Sequence, residues 1–168
     1  SALRRADRRA RDCRKLDEKF GITHNTVVSR RIVIDTNVLL AALRSRRGAS
    51  FTLLSLVGGR RFEVNVSVPL VPEYEDAAKR MSREIGLSHA DIDDVLDYVC
   101  RVSRHRKIFF LWRPFLSDPK DDHILELAVE SACDFIVTHN VRDFRGADRF
   151  GLRAVTPHEF LKLIGVIR

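Results

Sequence analysis

Short apolar runs recur along the chain between segments of helical periodicity. Ile32-Val33-Ile34 runs straight into Asp35, and Phe135-Ile136-Val137 runs into Thr138. Neither run alternates with polar residues, as a strand open to water on one face would. They predict strands over Ile32–Asp35 and Asp134–Thr138, with further strands at Phe62–Val66, Ile108–Leu111 and Leu152–Val155. Helical spacing and start signals fill the gaps. Asn37–Leu43 continues directly from the first strand. Ser50 is placed to cap Phe51–Leu56, which Gly58-Gly59 stops. A helix is expected around Pro72–Arg83. Ser88-His89-Ala90-Asp91 has the form of a capping box ahead of the face Ile92, Val95, Leu96 and Val99. Asp118-Pro119-Lys120-Asp121 opens another helix with Pro at its first position, and Thr156-Pro157-His158-Glu159 caps the last, Glu159–Ile164.

Strands alternating with helices predict an α/β fold with a central parallel β-sheet covered on both faces. Residues 1–29 stand apart as a basic N-terminal extension and linker, and 30–168 form the folded domain. Within the extension, Leu3, Ala6, Ala10, Cys13, Leu16 and Phe20 recur at helical spacing.

Charge sharpens this picture. The chain of 168 residues carries a net charge of +7, and Arg4, Arg5, Arg8, Arg9, Arg11 and Arg14 crowd its start. An excess of positive charge favours a polyanionic partner such as nucleic acid. Cys13, Cys100 and Cys133 are scattered and odd in number, which supports neither a zinc site nor a disulfide framework. No apolar run reaches the length of a membrane span, and the charged N-terminus lacks the apolar core of a secretory leader. A cytoplasmic protein with no membrane partner is expected.

The acidic residues carry the candidate chemistry. A carboxylate at the end of a buried strand is costly unless it holds something, and that edge of an open α/β sheet is where ligands sit. Asp35 ends the first strand, Glu73 lies early in a helix, Asp122 sits in the first turns of the Pro119 helix, and Asp143 follows the strand ending at Thr138. Brought together, these carboxylates repel one another, and a divalent cation relieves the conflict. Oxygen ligands without a His or Cys cluster favour Mg²⁺ or Mn²⁺ over Zn²⁺.

The same residues resemble a known family. Ile34-Asp35-Thr36-Asn37-Val38-Leu39 is similar to the opening signature of PIN-domain nucleases, and Pro72-Glu73-Tyr74 to their glutamate at a helix start. Asp122-His123-Ile124-Leu125 with Ala128 resembles the third acid and its helix. Val137-Thr138-His139-Asn140-Val141-Arg142-Asp143-Phe144 is similar to the closing motif of VapC-type toxins. Val155-Thr156-Pro157-His158-Glu159-Phe160-Leu161 resembles the last turn of PIN proteins assigned to toxin–antitoxin systems. Together the motifs span about residues 30–164.

The resemblance implies a three-layer α/β/α PIN-like fold and metal-dependent hydrolysis of RNA to 5′-phosphate and 3′-hydroxyl ends. It implies Asp35, Asp122 and Asp143 as ligands of Mg²⁺ or Mn²⁺, with Glu73 completing the catalytic set. Thr36, Asn37, Asp118 and Asn140 are candidates for supporting them, although Asp118 reads first as the N-cap of the Pro119 helix. Partners implied are an RNA substrate, a cognate antitoxin and a second copy of the chain as homodimer.

Pro72 leaves open whether Glu73, or instead Glu75 or Asp76, faces the site. Two alternatives to a toxin nuclease stand beside it: a catalytically silent PIN-like module that binds RNA or protein, and an RNA-processing nuclease outside a toxin system. His139 reads as an exposed loop residue, Cys133 as inert, and Phe109, Phe110, Trp112 and Phe115 as core.

Overall fold

The computed structural model describes residues 29–108 and 115–168. The expected stripe of the N-terminal extension, and Phe109, Phe110 and Trp112, lie outside the described residues.

Five parallel strands form one sheet in the order β3-β2-β1-β4-β5, where β1 is Arg30–Ile34, β2 Phe62–Ser67, β3 Arg104–Arg106, β4 Phe135–Val137 and β5 Arg153–Val155. The register places Ile32 opposite both Val64 and Phe135, and Ile34 opposite Val137. Ile32 and Val33, in the middle of the sheet, are fully buried, which accounts for the unbroken apolar run.

Seven α-helices occur among the described residues: α1 Thr36–Arg44, α2 Ala49–Ser55, α3 Leu70–Arg80, α4 Ser82–Ile85, α5 His89–Val102, α6 Asp122–Glu130 and α7 Pro157–Leu163. α6 packs on β1, β2 and β4, while α1, α2, α3 and α7 pack in a chain on one another. The result is the expected three-layer α/β/α fold. Both capping boxes form. Ser88 takes the backbone N–H of Asp91, and Thr156 that of Glu159.

Four elements differ from the sequence expectation. The third strand is Arg104–Arg106, and Ile108 lies beyond it. This strand is at the sheet edge, with Arg104 and His105 exposed, so it lacks the apolar signature of a buried strand. Ser50 is not the cap of α2. Gly48 holds that position, and Ser50 lies inside the helix. Pro119 does not open a helix. Asp121 N–H donates to the Asp118 carbonyl (3.1 Å) and Lys120 N–H to Asp118 Oδ1 (3.0 Å), closing a turn with Asp at its first position and Pro at its second. Asp118 therefore caps a turn, and α6 begins only at Asp122. Finally, the Pro72 helix starts earlier, at Leu70, and divides after Arg80; α4 ends at Gly86, whose φ of 74° is left-handed. Pro72 sits in the first turn of α3, where backbone N–H groups have no intrahelical partner, so the helix runs on without a break.

The chain leaves β1 for β2 on one side, and β4 lies on the other. The carboxyl end of β1 is thus the switch point of the sheet, the place where open α/β sheets form a crevice.

A candidate metal centre at the sheet edge

Asp35 occupies that switch point. Its backbone N–H continues the ladder to the Val137 carbonyl (2.9 Å), which places it beside the end of β4. The side chain is 6% exposed. Its Oδ2 accepts from Thr138 Oγ1 (2.6 Å) and from Asn37 Nδ2 (2.8 Å). Burial raises the pKa of this carboxyl, and the charge of Glu73 adds to the rise, against the lowering effect of the Thr138 hydroxyl and the local backbone.

Asn37 binds the two halves of the site together. Besides Asp35, it reaches Thr138 Oγ1 (3.3 Å), and its Oδ1 accepts the backbone N–H of His139 (3.1 Å). Thr138 Oγ1 also accepts the backbone N–H of Asn140 (2.9 Å). The His139 ring is exposed, yet its Nε2 is 2.9 Å from Ser50 Oγ, which ties the start of α2 to the end of β4.

Glu73, in the first turn of α3, points back to the same edge. Its Oε1 accepts from Thr36 Oγ1, and its Oε2 is 2.9 Å from His123 Nε2. The other ring nitrogen, Nδ1, donates to the Lys120 carbonyl (2.7 Å). Burial pushes the Glu73 carboxyl up, but the contacts with His123 and Thr36 outweigh it and hold the pKa below its usual value. Glu75 is turned to Lys79 (2.6 Å), and Asp76 is exposed. Of the three acids near Pro72, Glu73 is the one bound to Thr36 beside Asp35.

The third acid departs from expectation. Asp122 is 2% exposed, and its carboxylate is taken up by backbone N–H groups: Leu116 N–H donates to Oδ1 (2.8 Å) and Phe115 N–H to Oδ2 (3.2 Å). It anchors the chain entering α6. Its neighbour Asp121, half-buried, is the group that feels the other acids. Burial and then the charges of Asp35, Asp118 and Asp143 push the Asp121 carboxyl up to about 6. Asp143 lies in the 3₁₀ turn Val141–Phe144, fastened by its N–H to the Asn140 carbonyl (2.9 Å). Asp118 is exposed at the near side of the same acidic group, and Asn140 is exposed beyond Thr138.

Sequence reading missed Asp121, His123 and Thr138 as site residues. The Asp121-Asp122 doublet was the visible signal. Every residue from Asp122 to Ala128 is buried, however, so this stretch of α6 has no exposed face to show which acid meets the sheet edge.

The donor set fits a hard divalent cation. Carboxylates raised by mutual repulsion and partial burial are what such an ion relieves. Among the described residues no three His, Cys, Asp or Glu side chains stand close enough to enclose an ion by themselves. An ion held by such acids would keep water ligands rather than sit in a closed protein cage.

Compared with known proteins, the chain matches a family model described as PIN domain over residues 31–142. No curated protein matches it in sequence.

Proposed function

Since the chain belongs to the PIN-domain family, whose members are generally nucleases, we propose that it is a Mg²⁺- or Mn²⁺-dependent endoribonuclease. The observation that carries this reading is the group of Asp35, Asp121 and Asp143 at the switch point, with Asp121 raised to about 6 by burial and then by its acidic neighbours.

Asp35, Asp121 and Asp143 would hold the cation, with Glu73 beside them. A bound divalent ion neutralises the charge of a phosphodiester and acidifies water. The chain's own residues prepare that site. Asn37 and Thr138 fix one oxygen of Asp35 and so set which way the carboxylate faces. Thr36 and His123 hold Glu73 in its ionised form, ready to accept a proton or orient water. Asp122 positions α6, and through it Asp121, without touching substrate.

The proposal includes the toxin role. Its support is the likeness of Val137–Phe144 to the closing motif of VapC-type toxins, and it brings a cognate antitoxin, a homodimer and a cytoplasmic setting with it. No helix among the described residues is long and apolar enough to cross a membrane. The second reading, a silent PIN module, draws on the engagement of Glu73 by Thr36 and His123 and on the absence of a closed ligand trio among the described residues. One experiment separates them. Purified protein is incubated with RNA and Mn²⁺ or Mg²⁺. Cleavage that stops with EDTA and in Asp35→Asn supports the nuclease, whereas cleavage surviving both overturns it. Binding of RNA with no turnover under either metal favours the silent module.

A further inference from the structure

A groove of about 430 Å³ opens at the carboxyl ends of β2 and β3. It falls within the size range of small-ligand sites. Val68, Val71 and Pro72 form its apolar side, and Arg106 and Lys107, next to His105, its cationic side. None of the described residues lining it is acidic. Val68 is 77% exposed, a large apolar side chain left in water. The cationic side is partly fixed. His105 Nε2 donates to the Cys100 carbonyl (2.7 Å), and Arg106 Nε donates to the buried Asn65 Oδ1 (3.2 Å).

The groove adjoins the acidic site through α3. Val71 and Pro72 line the groove, and the next residue, Glu73, turns to Thr36 and His123. β3 is two strands from β1, so at the usual strand spacing the two places are about 10 Å apart. An apolar wall takes the face of a base, and the pair of cations Arg106 and Lys107 takes phosphate oxygens.

We propose that this groove receives a nucleotide of single-stranded RNA flanking the phosphate held at the acidic site. The inference rests on the ribonuclease reading for its substrate, but RNA binding tests it separately from cleavage.

The test uses the full chain carrying Asp35→Asn, so that RNA stays intact, with a short single-stranded RNA and fluorescence anisotropy. Val68→Asp and Lys107→Glu are each expected to weaken binding about tenfold. Lys107→Glu should also lower the salt slope by about one, while Lys162→Glu, the same charge change on exposed α7, leaves affinity unchanged. As a readout independent of the substitutions, RNA should protect Cys100, on the groove wall, from alkylation measured by peptide mass spectrometry. Unchanged affinity in both groove variants together with unprotected Cys100 overturns the inference, as does failure of the chain to bind RNA. Cleavage by the wild-type chain with groove variants that bind RNA normally removes the groove and leaves the nuclease reading intact. Weakened binding in a chain that never cleaves does the reverse. If Val68→Asp splits a dimer in sedimentation while RNA binding persists, the groove is a subunit contact and the inference falls.

Discussion

Two adjacent aspartates in this chain have opposite surroundings. Asp122 stabilises structure by accepting backbone N–H groups, whereas the charge on Asp121 is disfavoured by burial and by the acids around it. Asp122→Ala leaves the part-buried amide of Phe115 and the buried amide of Leu116 without their acceptor, so it should cost about 2 kcal/mol and lower Tm by about 4–8 °C in a thermal melt. Asp121→Asn should abolish cleavage while keeping or raising Tm. Equal Tm losses in both variants would contradict this division of labour.

The pH dependence follows from the same residue. A carboxyl at about 6 in the folded chain, against 3.8 for an ordinary aspartate, binds more protons folded than unfolded. Without metal its destabilising effect is absent below the unfolded pKa and fully expressed once pH passes 6, so stability declines as pH rises through that window. Cation binding runs the other way, because the ion must displace the proton. Mn²⁺ affinity measured by calorimetry should rise about tenfold from pH 5 to pH 7.5 and then level off, and Asp121→Asn should flatten the profile.

At the scale of elements, local chemistry and tertiary position compete. α5 follows local rules: Ser88 and Asp91 cap it reciprocally, and Ile92, Leu96 and Val99 bury one face. Ser88→Ala should therefore lower stability by about 1 kcal/mol in denaturant unfolding without altering RNA cleavage. β3 obeys position instead. An edge strand of Arg, His and Arg has no hydrophobic run, and the apolar stretch after it drew the expectation past it. The Asp118 turn shows a third case, since Asp-Pro opens a turn as readily as a helix, and the sequence contains nothing to decide between them. Asp35, Glu73 and Asp143 were legible because each follows a strand or opens a helix turn. The choice between Asp121 and Asp122 was not, because it depends on the phase of a helix whose residues Asp122 to Ala128 are all buried.

At the scale of the molecule, alternating buried strands and helices specified the doubly wound sheet, and the order β3-β2-β1-β4-β5 then put Asp35 at its switch point. A cation that binds there ties α1, α6 and the turn after β4 together in the folded state alone. Adding Mn²⁺ at about 100 times its Kd should stabilise the chain by about 2.7 kcal/mol and raise Tm by about 5–10 °C. Asp35→Asn should remove most of that rise. A metal-independent Tm in the wild type would speak against a cation at this edge.

The bonds from Thr138 to Asp35 and from His139 to Asn37 span 103 and 102 residues. A ribosome therefore releases Asp35 and Asn37 long before their anchor exists. A nascent or prematurely terminated chain ending ahead of Thr138 has an untethered Asp35, so the acidic edge takes its final form only after the segment through His139 has been made.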